Sequence, residues 1–347
     1  MKNLFVLLIT LSGLTSSVKV LAQGTDYLRG PTPTKSLNGN EKPKLRKCTY
    51  SKAHGMHGAD CSDRELTDLP EHLRSNIEIL DASYNRIRRI DRILLYPKIR
   101  YLYLGENFIV NLRPGTIDKL ENLEVLDLSV NSLQEIPKFV FEMSTLRRLY
   151  LSNSSFRHEF FNNEFEIKAP LEYIDLAYSE MTQMPRFGIM PYLYHLNISG
   201  NNFEKITIDD ISPLCRLKIL DVTNIGTNQI STCECIQLQN YLADMKVNVL
   251  PDIKSICNIS RYDISVCPPY SNSTNMNLHN TCLKNIRIRE KEQQVKVTWT
   301  YIAIGISSFL VGFIAILYMI HRRNVKSMKL EDIKHPLSDA TSTLVKE

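Results

Sequence analysis

Two short segments carry residues of the kinds that bind metal ions. His54, His57, Asp60 and Cys61 fall within eight residues, and Cys233-Glu-Cys235 places two thiols two residues apart. Imidazole, carboxylate and thiolate groups are the usual ligands of zinc. The cysteines, however, lie between two apolar segments typical of an exported chain, in which thiols oxidise to disulfides. We therefore predict disulfides and no metal site.

Residues arranged for catalysis are missing from the sequence. There is no Gly-rich phosphate loop, no nucleophile elbow, and no pair of carboxylates beyond a column of solvated aspartates described below. The net charge of +5 comes from scattered lysines and arginines, a pattern that does not favour nucleic-acid binding. We predict a protein that is not an enzyme, needs no cofactor and binds no nucleic acid.

The two apolar segments predict a membrane topology. Residues 1–22 resemble a secretory signal, with Lys2, an apolar run and a cleavage site before Gln23. Residues 297–320 contain no charge and, at about 1.5 Å per residue, are long enough to cross a bilayer core of about 30 Å. We predict a single-pass type I plasma-membrane protein with an extracellular N-terminus and a cytosolic tail, residues 321–347.

A repeat of 22 to 25 residues dominates the middle of the chain. Each copy has an apolar residue followed by others three and five positions later, and often by Asn at the ninth position. The copies start at Ile77, Ile99, Leu123, Leu146, Leu171, Leu193 and Leu217. No copy can bury its apolar face alone, so stacked copies would share a core and form a parallel sheet.

The repeat resembles the leucine-rich-repeat family, L-x-x-L-x-L-x-x-N-x-L, over roughly residues 66–230. The resemblance implies an α/β solenoid: a horseshoe with a parallel sheet on its concave side. We expect the ninth-position Asn to pair with backbone groups in the turn. Ser154, Ser179 and Ile225 replace it, which predicts a less regular solenoid after the third repeat. The insertion 157–168 contains Phe160, Phe161 and Phe165, which with Phe156 favour core filling over an exposed ligand patch.

Cysteines flank the repeats as they do in the capped, Toll-like or Slit-like ectodomains of this family. The resemblance implies an N-terminal cap over residues 48–76, repeats over 77–230 and a C-terminal cap over 231–283. Residues 23–47 are expected to be disordered and 284–296 to form a juxtamembrane stalk. By resemblance we favour the pairs Cys233–Cys257, Cys235–Cys282 and Cys215–Cys267. The cysteines expected in disulfides are Cys48, Cys61, Cys215, Cys233, Cys235, Cys257, Cys267 and Cys282.

Residues beside the inward-facing leucines are predicted to lie on the concave side, free to bind a ligand. Tyrosine and aspartate alternate there, which indicates an aromatic and acidic recognition surface. The alternative is that Asp is simply common at this repeat position and Tyr suits a strand. The candidate binding residues are Asp81, Tyr101, Tyr103, Asp127, Arg148, Tyr150, Tyr173 and Asp175.

Four N-glycosylation sequons begin at Asn153, Asn197, Asn258 and Asn272. Glycans at Asn153 and Asn197 would crowd repeats four to six, so we expect a ligand to use the first three repeats.

These features predict a receptor for an extracellular or cell-surface protein, acting as an adhesion molecule, with possible homophilic binding, or as a co-receptor. An innate immune pattern-recognition receptor or decoy is the alternative, since Toll-like ectodomains share the caps and repeats. Toll-like receptors also carry a large cytosolic domain, which a 27-residue tail does not provide.

Overall fold

The computed structural model describes residues 47–156, 167–226, 231–256, 267 and 273–343, with side chains described in the last segment from 277 to 326. Its main feature is one sheet whose ten strands, among the described residues, follow one another in chain order. β1 (Thr49–Ala53) and β2 (Met56–Asp60) form an antiparallel hairpin. From β2 onward every neighbouring pair is parallel.

Seven short strands occupy the positions that the repeat pattern predicts. They are β3 (Ile79–Asp81), β4 (Tyr101–Tyr103), β5 (Val125–Asp127), β6 (Arg148–Tyr150), β7 (Tyr173–Asp175), β8 (His195–Asn197) and β9 (Ile219–Asp221). β10 (Asn248–Leu250) of the C-terminal cap extends the sheet beyond the last repeat. The predicted solenoid with a parallel sheet is confirmed.

The central residue of each repeat strand points inward and is fully or almost fully buried, as Leu102, Leu126 and Ile174 show. The return segments of the early repeats contain short 3₁₀ turns, Asp91–Leu95, Ile117–Lys119 and Lys138–Glu142. α1 (Ile208–Ile211) lies in the return segment of the sixth repeat. Stacking thus buries apolar surface that a single copy would expose, which is the main stabilising contribution in a repeat protein.

Asparagine closes the turn of four repeats. The Asn107 amide Nδ2 donates to three carbonyl oxygens, Ala82 and Leu104 at 3.0 Å and Gly105 at 3.2 Å, and its Oδ1 accepts from the Ile87 amide at 2.9 Å. Because one of these carbonyls belongs to the preceding repeat, the side chain joins neighbouring copies. Asn85, Asn131 and Asn201 bond in the same way.

Serine reaches fewer partners in the fourth and fifth repeats, as expected from its length. The Ser179 hydroxyl lies 3.3 Å from the Leu151 carbonyl and 3.2 Å from that of Ala177. Among the residues that the structure describes, the buried Ser154 hydroxyl has no hydrogen-bond partner. Phe156 is buried, in line with core filling, whereas Phe160, Phe161 and Phe165 lie outside the described residues.

The cap disulfides correct the predicted pairing. Cys48 is bonded to Cys61, Cys215 to Cys282, and Cys233 to Cys267. The predicted pairs Cys233–Cys257, Cys235–Cys282 and Cys215–Cys267 are therefore wrong. Cys235 is also in a disulfide, and Cys257 lies outside the described residues.

Helix geometry sends the two C-x-C cysteines in different directions. α2 (Thr232–Asp244) starts at a capping box in which the Ser231 side chain accepts from the Glu234 amide, so Cys233 and Cys235 lie in its first turn. Residues two apart on a helix point in nearly opposite directions. Cys282 lies on the third helix and bonds to Cys215 at the end of the sixth repeat.

The third helix, α3 (Ser273–Thr343), begins against the solenoid and continues through the apolar segment. Ile286 is buried and the Arg216 guanidinium contacts the Glu290 carboxylate at 2.6 Å. Residues 284–296, predicted as a stalk, are thus helical. Within α3, Asn277–Lys326 is long and apolar enough to cross a membrane, with a mean hydropathy of 2.3 in its most apolar window.

Candidate ligand-binding face

The concave sheet face consists of the first and third residues of each strand from β3 to β9. Parallel pairing without bulges aligns these residues in two columns. The first column is Ile79, Tyr101, Val125, Arg148, Tyr173, His195 and Ile219, and the second is Asp81, Tyr103, Asp127, Tyr150, Asp175, Asn197 and Asp221. All eight predicted binding residues belong to these columns. The structure therefore brings them onto one surface, although it shows no ligand.

Aromatic rings contact one another in the middle of the concave sheet face. The Tyr150 and Tyr173 ring centroids are 4.9 Å apart, and the Tyr173 and His195 rings meet edge to face at 4.7 Å. Each ring comes from a different strand, so only the stacking of repeats four to six assembles the group. We call Tyr150, Tyr173 and His195 the aromatic cluster. His195 was not among the predicted binding residues because a lone histidine gives no signal of its own.

Burial changes the proton affinities of the aromatic groups. It raises the pKa of Tyr103 to about 12 and raises that of Tyr150 and Tyr173, so all three hydroxyls stay protonated at neutral pH. Desolvation lowers the pKa of His195, and its buried Nε2 has no hydrogen-bond partner within the described part of the chain. The aromatic cluster is thus uncharged. The charge of Arg148 opposes the effect of burial on the pKa of Tyr150, so a cation lies beside the cluster.

Aspartates of the second column have a structural role as well. Oδ1 of Asp81 accepts from the Ser83 amide at 3.0 Å and from its hydroxyl at 2.5 Å. Asp127 does the same with Ser129, and Asp221 with Thr223. Such bonds shape the turn that follows each strand. The alternative raised in the sequence analysis, that Asp belongs to the repeat itself, therefore has direct support.

Asp60 extends this column and was not among the predicted binding residues. It pairs in register with Asp81 across β2 and β3, and its Oδ1 accepts from the Ser62 amide and hydroxyl. The signal for it was present in the sequence as Asp-x-Ser or Asp-x-Thr, which recurs at 60, 81, 127 and 221.

Burial raises the pKa of Asp81, Asp127 and Asp175, against the effect of the hydrogen bonds each carboxylate accepts. Neighbouring acids add to the shift: Asp60 beside Asp81, and Asp81 and Glu106 beside Asp127. These carboxylates are poorly solvated and repel one another, which a cation placed on the surface would relieve.

Two sequons lie on described residues. Asn153 is exposed just after β6, with a left-handed backbone at φ 52°. Asn197 lies within β8, half-buried, where its Oδ1 accepts from the Ser199 amide at 3.1 Å. Asn258 and Asn272 lie outside the described residues, and glycan occupancy at all four positions stays a prediction.

The family comparison agrees with the repeats. A family model described as "Leucine rich repeat" matches residues 75–133 and 97–156, and a second one matches 192–214. Mouse podocan is 28% identical over 188 residues, covering 52% of this chain and 26% of podocan. Chicken Tsukushi is 24% identical over 288 residues, covering 69% of this chain and 78% of Tsukushi.

Among solved structures, human trophoblast glycoprotein is similar with a TM-score of 0.47 at 21% identity, covering 61% of this chain and 81% of that one. The chain thus spans about a quarter of podocan and more than three quarters of Tsukushi and of the trophoblast glycoprotein structure.

Proposed function

We propose that this leucine-rich-repeat chain, which is similar to extracellular proteins of that kind, is a single-pass cell-surface protein whose concave sheet face binds an extracellular protein ligand. It acts as an adhesion molecule or co-receptor. Disulfides in both caps suit an oxidising, extracellular environment, and the apolar part of α3 suits a membrane anchor. The signal peptide and the type I orientation remain part of the proposal.

The observation that carries the proposal is the aromatic cluster. Tyr150, Tyr173 and His195 are partly exposed and contact one another on the sheet surface. The repeat core does not need them, because the inward residues of the same strands already fill it. Large rings with few rotatable bonds are the side chains that most often dominate the free energy of protein–protein binding.

A screen of full-length protein displayed on cells against soluble human and microbial proteins tests the proposal. For a ligand so identified, Tyr173→Ala is expected to weaken binding by at least tenfold, as truncation of a central aromatic anchor does. Phe108→Ala is the matched control, because Phe108 is exposed but lies outside the two columns. Equal thermal unfolding of both variants would show that the fold is kept, and unchanged binding by Tyr173→Ala and Tyr150→Ala would refute the proposed site.

Cell aggregation separates the two modes of action. Clustering of cells that express the chain supports homophilic adhesion, whereas ligand binding without clustering supports a co-receptor.

Mapping glycans by mass spectrometry decides which end of the concave sheet face is open to a ligand. A glycan on Asn197 would cover the aromatic cluster and contradict the site proposed here, in favour of Asp81, Tyr101, Tyr103 and Asp127 in the first three repeats. A bare Asn197 leaves the aromatic cluster accessible and supports it.

A further inference from the structure

We propose that the partner of the concave sheet face presents a cationic segment, rich in arginine or lysine. This deepens the proposed function and rests on it. The chain as a whole carries a net charge of +5, yet the two columns contain four aspartates against one arginine, Arg148. β2 adds Asp60 at the edge of the same sheet. The concave sheet face is therefore acidic on a basic protein, and charge complementarity selects a cationic partner.

The carboxylates of the second column can accept further hydrogen bonds from a partner. Asp81, Asp127 and Asp221 each use Oδ1 to accept from the residue two positions on. No hydrogen bond within the described part of the chain reaches Oδ2 of these three residues. Beside Asp127, the neighbouring strand is followed by Gly105, whose missing side chain leaves that oxygen uncovered: a Cβ there would stand 3.3 Å from it. A guanidinium group could donate to these oxygens.

The tyrosines between the aspartates suit the same partner. Tyr103 lies between Asp81 and Asp127 in the second column, and Tyr150 lies between Asp127 and Asp175. An arginine held by a carboxylate can thus rest against the face of a neighbouring ring, which attracts cations. A face that offers both a carboxylate and a ring therefore favours an arginine-rich segment over a partner surface that is only apolar.

The spacing of the carboxylates sets the spacing of the cations. Neighbouring strands lie about 4.8 Å apart, so Asp81, Asp127, Asp175 and Asp221, on alternate strands, recur at roughly 10 Å. A polyproline II segment repeats every three residues and rises about 3.1 Å per residue, so side chains three apart share one face at roughly 9 Å. The peptide (Arg-Pro-Pro)₄ is therefore a suitable probe, with (Gln-Pro-Pro)₄ as its neutral counterpart.

Substitution of these aspartates by asparagine removes their negative charge while keeping the hydrogen bond that shapes the turn. Asn197 occupies the equivalent position in the sixth repeat and its Oδ1 accepts from the Ser199 amide at 3.1 Å. The combined variant Asp81→Asn/Asp127→Asn/Asp175→Asn should therefore keep the fold. Because the exchanges at 81 and 127 create Asn-x-Ser sequons, all variants are produced in a system that adds no N-glycans. Glu121→Gln/Glu135→Gln/Glu204→Gln is the matched control, because it removes the same charge from exposed residues outside the columns.

Binding is measured with the full-length protein in phosphatidylcholine nanodiscs. We expect (Arg-Pro-Pro)₄ to bind, (Gln-Pro-Pro)₄ not to bind, and the Asn triple variant to bind the arginine peptide at least tenfold more weakly. The Gln triple variant should stay within twofold of the parent. Equal weakening by both triple variants, or none by the Asn variant, overturns the cationic partner.

The protein ligand from the screen separates this inference from the proposed function. If Tyr173→Ala abolishes its binding and the Asn triple variant does not, the face binds protein but the cationic partner is wrong. If neither variant matters, the site of the proposed function fails, whatever the peptide does.

Discussion

The first three repeats and the two that follow differ in how their turns are closed. In the former, Asn107 and Asn131 each join two neighbouring copies through several buried hydrogen bonds, and Asn85 joins the first copy to the N-terminal cap. In the latter, the Ser154 hydroxyl has no hydrogen-bond partner within the described residues and the Ser179 hydroxyl makes only long contacts. Yet the aromatic cluster lies on strands of the fourth, fifth and sixth repeats. Two of the three strands that carry the aromatic cluster are thus followed by weakly bonded serine turns, whereas Asn201 closes the turn after the third.

The largest expected effect comes from breaking an asparagine turn. Asn107→Ala leaves the buried Ile87 amide without a partner and removes one of the two donors to each of three carbonyls, so we expect a loss of about 3 kcal/mol in the free energy of unfolding. Ser154→Ala removes a hydroxyl that makes no hydrogen bond within the described residues and should change this free energy by less than about 1 kcal/mol, if anything upward. Urea unfolding of the full-length protein compares the two; similar losses would show that the turns do not differ as described.

Two glycines, one in the second repeat and one in the sixth, distinguish the cost of a left-handed backbone from the cost of crowding by a neighbouring side chain. Gly200 has φ +66° and a Cβ there would meet the Tyr178 ring at 2.3 Å, whereas Gly115, at φ +83°, has open space. Gly115→Ala should cost about 1 kcal/mol from its left-handed backbone alone. Gly200→Ala should cost roughly 1 kcal/mol more, because the ring must move. Adding Tyr178→Ala to Gly200→Ala should recover this extra cost in thermal unfolding; if it does not, the ring is not what crowds the site.

The smallest expected effect concerns the charge of the second column. Burial, together with Asp81 and Glu106, raises the pKa of Asp127. The protonated Asp127 carboxyl contributes stability at low pH, and this contribution is lost as the pH rises through its native-state pKa. The ionised carboxylate therefore lowers the stability of the fold at neutral pH. Asp127→Asn should therefore unfold at a higher temperature than the parent at pH 7, with the gain shrinking toward pH 4. Both proteins are produced without N-glycosylation, because the exchange creates an Asn-x-Ser sequon. Asn197→Asp should show the opposite sign, and a gain for Asp127→Asn that is independent of pH would contradict the assignment to charge.

Much of the solenoid could be predicted because its pattern is local. Leu102 and Leu126 are followed at fixed distances by Asn107 and Asn131, and one strand and one turn per period satisfy that spacing. The candidate columns followed from the same register, since residues beside an inward leucine must face out. The contact between Tyr173 and His195 could not be predicted, because it depends on how two rings from separate repeats are oriented.

The sequence by itself determined the repeat, the strand positions and the two Asp and Tyr columns, because each depends on residues within one period of the chain. Only the tertiary structure decided which cysteines meet, that Asp60 joins the second column, and that α3 packs beside Cys215 and Arg216 at the end of the sixth repeat before its apolar segment begins. Cys215 and Cys282 are 67 residues apart and their Cα atoms lie 6.0 Å apart. A distance of that kind is set by how the cap and helix pack, and spacing along the chain does not encode it.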